Sequence, residues 1–357
     1  MFNHASYGVT PLALLAEADR VRRELESDPN VQLLDVLQER LDEVRAELCA
    51  VLGLDPELSA LTTSAAAGAA ALQRSTPLSA GDVVLTLDCE YSSVLRGWQR
   101  RCAEVGAELR VVPVDLPLLD VETLLTGLTT AVAGERIAVL QFSAITSSAA
   151  LRLPVARLTA WGHEHGATVI VDAAHGPGHL DLDEFADVDA AFASVHKWLP
   201  VPRSVGLLWA TPALAADLRP AEVSLTYDDP GLGRRFSWPG TFDPTSRLCL
   251  PAALEHHAAW AGELAGCVRL ADHASAVLSD LGAVPTATAP LLPPRMRAVL
   301  LPGVTEAEIR ERLLAADVRA WSGTAGEHTL VRLATHVYND EDDVDVLATV
   351  VAEALRS

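Results

Sequence analysis

Short apolar segments that alternate with helical segments constrain the fold of this chain most strongly. Each segment is four to seven residues long and contains few side chains suited to facing water. Apolar runs of this kind are buried on both faces, as in a parallel sheet covered by helices on either side. The segments are residues 82–87, 108–114, 137–142, 167–172, 190–193 and 205–209. They predict an α/β fold built on a mainly parallel sheet.

Helical periodicity occupies the intervals between these segments. From Leu33 to Val51, apolar residues recur at three- and four-residue steps, which predicts an amphipathic helix. Residues Leu151–His165 show a helical pattern suited to a crossover between parallel strands. After about Trp238 the pattern becomes mostly helical, with strand candidates at 297–301 and 330–334. The second part of the chain is therefore predicted to form a smaller α+β domain.

Composition excludes several classes of function. The chain has 48 Asp and Glu residues against 27 Lys and Arg, a formal net charge of -21, which disfavours binding to nucleic acid or to anionic lipid. No apolar run approaches the roughly 20 residues that span a bilayer, and the first 15 residues lack the basic region of a signal peptide. The five cysteines are odd in number and scattered, so neither a disulfide framework nor a zinc site is expected, and a cytoplasmic location fits best.

Three segments carry candidate chemistry, and two of them lie at the ends of predicted strands, where ligands of open α/β sheets bind. Asp172 closes one strand and is either a helix cap or a carboxylate for a cofactor's pyridinium nitrogen. Lys197 follows another strand and is either a surface lysine or a desolvated nucleophilic amine. Within residues Leu61–Ala70, hydroxyl side chains precede a predicted helix of small residues. The start of this helix is either an ordinary N-cap or a phosphate cradle, in which free backbone amides bind a phosphate group.

The order of cradle, aspartate and lysine resembles the fold-type-I enzymes that use pyridoxal 5'-phosphate (PLP), and specifically the class V aminotransferase group. The resemblance is to its isopenicillin N epimerase-like and cysteine desulfurase-like branch and covers almost the whole chain. Four further segments carry it: Asn3–Gly8, Ser194–Gly206, Ser237–Pro244 and Val331–Asn339. It implies an N-terminal arm at 1–14, a large PLP-binding domain at 15–240 with a mainly parallel, seven-stranded type of sheet, and a small C-terminal α+β domain at 241–357.

The resemblance also implies roles for individual residues. Lys197 is expected to bond the cofactor covalently and to carry the Cα proton, and Asp172 to keep the pyridine nitrogen protonated. Arg332 is expected to bind the substrate α-carboxylate, because a guanidinium forks onto a carboxylate. The other implied cofactor contacts are His175 on the ring oxygen, Tyr91 stacked on the ring, Ser64, Ala65, Ala66, Ser194 and His196 on the phosphate, and Thr241 on the phosphate of a neighbouring subunit. The last contact implies a homodimer.

Three departures from the family pattern narrow the function. Ala144 replaces an asparagine that contacts the ring oxygen and the substrate, so this substrate-contact position lacks its usual amide. Phe242 replaces an arginine, which disfavours recognition of a distal acidic group. Residues 321–331 contain no cysteine, whereas a cysteine desulfurase needs a persulfide-forming cysteine at about that place. Cysteine desulfurase activity is therefore disfavoured.

The resemblance implies a PLP-dependent enzyme that acts at Cα of an amino-acid substrate, with the isopenicillin N epimerase-like branch as the leading expectation. Epimerisation, β-elimination by a C–S lyase acting on a cysteine conjugate, and transamination stay open. Epimerisation needs a second proton donor, for which Tyr7, His4 and His328 are candidates; His4 and Tyr7 are also expected to contact the substrate. A non-catalytic binding protein is disfavoured because Lys197 and Asp172 are both present, and no metal site is expected.

Overall fold

The computed structural model describes residues 1–356, and its larger sheet has seven strands. In chain order these are β1 (Ser59–Thr62), β2 (Val83–Leu87), β3 (Glu108–Val112), β4 (Val139–Ser143), β5 (Thr168–Asp172), β6 (Ala190–Ser194) and β7 (Gly206–Ala210). Their spatial order is β1-β7-β6-β5-β4-β2-β3. Strands β2 to β6 pair in parallel, whereas β7 is antiparallel to both of its neighbours. The predicted α/β class with a mainly parallel seven-stranded sheet is confirmed.

Helices cover both faces of this sheet. The α-helices of residues 1–356 are α1 (His4–Tyr7), α2 (Leu12–Ser27), α3 (Leu37–Leu52), α4 (Ala65–Ser75), α5 (Ser92–Val105), α6 (Val121–Val132), α7 (Val155–Glu164), α8 (Pro212–Asp217), α9 (Leu232–Arg235), α10 (Thr245–Leu248), α11 (Leu250–Ala259), α12 (Ala261–Asp280), α13 (Glu306–Ala315) and α14 (Glu341–Arg356). Successive residues of a strand point to opposite faces. Accordingly, Val83 and Leu85 belong to one buried core and Val84 to the other.

A second, antiparallel sheet forms the smaller part of the fold. Its strands are β8 (Val284–Pro285), β9 (Met296–Leu300), β10 (Trp321–Ala325) and β11 (His328–Ala334), in the order β10-β11-β9-β8. Helices α12, α13 and α14 pack with it around a separate core. The predicted smaller α+β part is therefore present. The domain boundary at residue 240 stays a prediction, because α10 and α11 after it still contact α2 and α3.

Residues 2–8 connect the two parts of the fold. Phe2 is buried in the core of the smaller part, and its carbonyl accepts a hydrogen bond of 2.7 Å from the amide of Ala334. Gly8 ends α1 with a φ of 67°, and a Cβ at this position would collide with the carbonyl oxygen of His196. Only glycine combines that backbone conformation with such a close approach. The first residues therefore pack directly on the turn that carries Lys197.

Sequence patterns predicted the ends of most strands to within two residues but missed strands β1 and β10. The six predicted apolar runs correspond to β2 through β7. Strand β1 was not predicted, because four residues are too short for a recognisable period. Strand β10 was also missed, since its sequence WSGTA is half exposed and has no apolar alternation. In residues 1–356, no helix is long and apolar enough to cross a membrane.

Candidate active site

Three neighbouring parallel strands end at the same edge of the large sheet. Ser143, Asp172 and Ser194 are the last residues of β4, β5 and β6, and Ser143 pairs with Asp172 across the ladder. A cavity of about 440 Å³ opens at this edge, a size suited to a small ligand. Eleven residues predicted from the sequence line it: Tyr7, Ser64, Ala65, Ala66, Tyr91, Asp172, His175, Ser194, His196, Lys197 and Arg332.

One wall of the cavity is the N-terminus of helix α4. Ser64 caps this helix, its Oγ accepting a hydrogen bond of 3.2 Å from the amide of Ala67. Ala65 and Ala66, which have small side chains, line the cavity at the first turn of this helix. Gly206 lies directly behind, where a Cβ would collide with the backbone of Ser64. Free amides and the positive end of the helix dipole make this wall suitable for a phosphate group.

Asp172 lies at the floor of the cavity and is 5% exposed. Its Oδ1 accepts a hydrogen bond of 2.8 Å from the amide of Ala174. Burial raises the pKa of Asp172 to about 6, while the Ala174 amide and Lys197 act in the opposite direction. At neutral pH the carboxylate is therefore mostly ionised and able to pair with a cationic ring nitrogen.

Lys197 ends a short 3₁₀ turn that follows β6, and its amine faces the same cavity. Burial lowers the pKa of Lys197 to about 8; Asp172 opposes this and Arg332 adds to it. A neutral amine is the nucleophilic form, so this environment prepares Lys197 to attack an aldehyde carbon. The amine nitrogen lies 3.4 Å from Nε2 of His175.

His175 is buried between Lys197 and Trp198. The indole Nε1 of Trp198 donates a hydrogen bond of 3.1 Å to Nδ1 of His175. Burial, and then the charges of Lys197 and Arg332, lower the pKa of His175 well below its usual range. The imidazole is therefore neutral at physiological pH.

Arg332 projects from β11 into the cavity as a buried cation. Its Nη2 donates to Oδ1 of Asn3 at 2.9 Å and to Oγ of Ser6 at 2.8 Å, and its Nη1 donates to the carbonyl of Ser147. The guanidinium carbon lies 5.4 Å from the ring centre of Trp321. Burial lowers the pKa of Arg332 to about 10, and no carboxylate in residues 1–356 forms an ion pair with it. A buried guanidinium lacking a carboxylate is suited to binding one from a ligand.

Four residues singled out in the sequence lie outside this cavity. His4 is buried, and its Nδ1 lies 2.8 Å from the hydroxyl of Tyr338, so its ring faces the smaller part of the fold and not the substrate space. His328 lines a different cavity. Ala144 is fully buried behind its neighbours in the chain. Thr241 is exposed on the surface. Of the three predicted proton-donor candidates, Tyr7 lines this cavity, whereas His4 and His328 do not.

Sequence reasoning missed the groups that hold the site residues in place. Glu90 is buried and accepts hydrogen bonds from the Ser143 amide at 2.8 Å, the Ser143 hydroxyl at 2.6 Å and Gln141 Nε2 at 3.0 Å. Burial raises the pKa of Glu90 to about 7. One signal was available: Glu90 directly precedes Tyr91 and is an acidic residue between two predicted elements.

A second overlooked signal concerns Lys197 itself. It is the single lysine in the 357-residue sequence, where the other 26 of the 27 basic residues are arginine. A surface lysine is expected to be one of many, because lysine is a common solvent-facing residue. A lone lysine facing an internal cavity therefore argues for a specific chemical role.

The side chains around the cavity fit PLP. The amides of helix α4 suit its phosphate, the Asp172 carboxylate suits its pyridine nitrogen, and the Lys197 amine suits its aldehyde. When bound, PLP supplies an electron-withdrawing ring that accepts the electron pair released by bond breaking at Cα. A metal would need a different set of ligands, and residues 1–356 contain no group of three or more His, Cys, Asp or Glu side chains placed to hold one.

Comparison with known proteins identifies the family of this chain. Residues 35–243 match the family model for aminotransferase class V. The isopenicillin N epimerase of Streptomyces clavuligerus is 31% identical over 373 aligned positions, covering 97% of this chain and 92% of that protein. A cysteine desulfurase of Escherichia coli O6:K15:H31 is 34% identical over 145 positions, or 40% of this chain and 34% of that protein.

Similarity to solved structures extends over the whole fold. A structure of a C-DES mutant with glycine covalently linked to its PLP cofactor superimposes with a TM-score of 0.86 at 20% identity, covering 99% of this chain and 96% of that chain. Identity this low establishes a shared fold only. Together with the family match and the near full-length relative, these observations show that the chain belongs to the class V aminotransferase family of PLP-dependent enzymes.

Proposed function

We propose that this enzyme epimerises an amino acid by removing the Cα proton and returning a proton on the opposite face. One observation carries the proposal: Tyr7 lines the same cavity as Lys197 and Arg332. Epimerisation needs two proton-transfer groups and an anchor that keeps the substrate in place, and these three residues are of the required kinds. The relative that covers nearly the whole chain carries the name isopenicillin N epimerase, which supports the same choice.

Each residue has a defined task in this proposal. Arg332 binds the substrate α-carboxylate, since its guanidinium is already held by Asn3 and Ser6 and keeps its orientation. Lys197, with its lowered pKa, takes the Cα proton as a general base near neutral pH. The hydroxyl of Tyr7 donates the proton on the other side.

β-Elimination from a cysteine conjugate is the second candidate function. It requires Lys197 but no second proton donor on the opposite face. The side chain of Tyr7 is 68% exposed, so it is less firmly placed than Lys197, and this favours a reaction that does without it.

Proton NMR in heavy water separates these functions. PLP-loaded enzyme is incubated with pooled amino acids that include cysteine conjugates. An epimerase exchanges Cα hydrogen for deuterium and forms the opposite enantiomer. A lyase instead releases a keto acid and the β-substituent without an added amino acceptor. Keto acid that appears only when an amino acceptor is added would indicate an aminotransferase and contradict both proposals.

Two variants sharpen the test. Tyr7→Phe is expected to keep Cα deuteration, because Lys197 is intact, but to lose formation of the opposite enantiomer. Tyr227→Phe is the matched control, since Tyr227 does not line the cavity. A Tyr7→Phe enzyme that epimerises at the wild-type rate would remove Tyr7 from the mechanism. Lys197→Ala should abolish exchange and prevent borohydride from fixing PLP to the chain.

We also propose that the enzyme is a homodimer in which Thr241 reaches the neighbouring site. Thr241 is exposed and does not line the cavity of its own chain, which supports a role in another subunit. Mixing inactive Lys197→Ala subunits with Thr241→Val subunits tests this arrangement. If Thr241 acts across the interface, mixed dimers contain one complete site and regain exchange activity. Mixing that restores no activity would contradict the assignment. A cytoplasmic location also stays a prediction.

A further inference from the structure

Trp198 lies directly after the catalytic lysine but outside the cavity. Its side chain is 1% exposed and is held by aromatic and cationic neighbours. The ring of His179 stacks on it at a centroid distance of 3.9 Å, and the Arg295 guanidinium carbon lies 4.6 Å from the indole centre. These contacts fix the direction of its N–H group, which donates to Nδ1 of His175 at 3.1 Å.

The chemistry of that hydrogen bond determines where His175 carries its hydrogen. An indole nitrogen can only donate, so Nδ1 of His175 must be the acceptor. A neutral imidazole has one acceptor nitrogen and one N–H. Burial, with the nearby charges of Lys197 and Arg332, disfavours the doubly protonated ring. The hydrogen of His175 is therefore on Nε2, which faces Lys197.

We propose that Trp198 is a positioning residue that selects the Nε2–H tautomer of His175, so that this N–H group points at the Lys197 amine. A neutral amine accepts a hydrogen bond from this N–H, whereas an ammonium cannot. If Nδ1 carried the hydrogen instead, Nε2 would accept from the ammonium and stabilise the unreactive form. Trp198 thus favours the nucleophilic state of the lysine before any cofactor is present.

The remaining charged groups near the amine do not give this selectivity. Asp172 favours the charged lysine and Arg332 disfavours it, but both act through distance alone and are indifferent to the tautomer. The Trp198–His175 contact, by contrast, places its donor at one imidazole nitrogen, Nδ1, and so discriminates between the two tautomers. The inference rests on the proposed function only in assigning Lys197 a nucleophilic role.

Nitrogen-15 NMR of histidine-labelled, cofactor-free full-length protein tests the tautomer directly. Long-range proton–nitrogen correlations identify which ring nitrogen of His175 carries hydrogen, and His175→Gln assigns the signal by its disappearance. The expected result is hydrogen on Nε2 in the wild type. Hydrogen on Nδ1 in the wild type would overturn the proposal without any variant at position 198.

Two tryptophan variants then test the cause. Trp198→Phe keeps the ring but removes the N–H, and the Nε2–H tautomer should lose its predominance. Trp98→Phe is the matched control, because Trp98 is also buried and its indole N–H has no partner within residues 1–356. An unchanged His175 tautomer in Trp198→Phe protein would overturn the proposal.

A second measurement reports the reactivity of the Lys197 amine. In Trp198→Phe protein, labelling of the Lys197 amine by a neutral acylating reagent at pH 7 should slow by about tenfold, as expected for one hydrogen bond to a charged group. Trp98→Phe should label at the wild-type rate. Both readouts use cofactor-free protein, so failure of the epimerase proposal leaves this inference intact, and the reverse also holds.

Discussion

The reactivity of Lys197 offers a sharp quantitative test of the site. An ordinary lysine with a pKa of 10.5 is about 0.08% neutral at pH 7.4. The environment of Lys197 lowers its pKa to about 8, and at that value about 20% of the amine is neutral. The reactive fraction therefore increases by about 250-fold. This difference corresponds to about 3 kcal/mol at 1.36 kcal/mol for each pH unit.

Competitive acylation measures this quantity on cofactor-free protein. The chain is treated with trace acetic anhydride from pH 6 to pH 11 in the presence of Nα-acetyl-lysine as a reference amine. Because Lys197 is the single lysine of the sequence, one peptide in the mass spectrum reports its labelling without interference from other lysines. The expected midpoint for Lys197 is near pH 8, and that of the reference amine is near 10.5.

Two neighbouring charges give the experiment a directional check. Replacing Arg332 with Gln removes a cation that disfavours the ammonium, so the midpoint should rise. Replacing Asp172 with Asn removes an anion that favours it, so the midpoint should fall. A wild-type midpoint equal to that of the reference amine would refute the argument that burial activates Lys197. Midpoint shifts of the same sign in both variants would contradict the opposite charge effects assigned to Arg332 and Asp172.

Three further predictions concern neighbouring groups. Arg332→Lys should lower kcat/KM by about 10-fold or more, chiefly through KM, because a lysine amine cannot keep the contacts to Asn3 and Ser6 that orient the charge. When the pH falls from 7.5 to 5, the free energy of unfolding of His336→Phe should rise by about 2 kcal/mol relative to that of the wild type, measured by denaturant titration. Burial lowers the pKa of His336 to about 2, so acid favours the unfolded wild-type chain. Over the same fall in pH, the free energy of unfolding of Glu90→Gln should drop by about 2 kcal/mol relative to that of the wild type. The raised pKa of Glu90 means that protonation stabilises the folded wild type, and the glutamine variant lacks this effect. Slopes of the same sign in the two variants would contradict one of the two assignments.

The sequence was a reliable guide to the sheet because buried parallel strands leave a simple pattern. Segments such as 137–142 and 167–172 are apolar throughout, so their burial on both faces could be predicted without knowing their neighbours. The strands β1 and β10 lack such a pattern and exist through their pairing with β7 and β11. Their formation depends on tertiary contacts, which cannot be recognised from a short stretch of sequence.

The site was predictable where a residue acts through its chemical type and unpredictable where it acts through orientation. Asp172 and Lys197 follow strands that end at one edge, so topology brings them together. His4 shows the limit of this reasoning. It belongs to a segment that lines the cavity, yet its own side chain points toward Tyr338. Direction within a four-residue helix depends on packing, which sequence similarity does not report.

The contact between Arg332 and Asn3 has a consequence for how the enzyme is made. These residues are 329 positions apart in the chain, and their hydrogen bond helps to orient the guanidinium that we propose as the anchor for the substrate carboxylate. Closing a loop of this length costs conformational entropy before the contact can stabilise the fold. A nascent chain on the ribosome that already contains the complete large sheet still lacks β11 and the partner for Asn3. Residue 332 must therefore have been synthesised before the enzyme can hold a substrate in the proposed position.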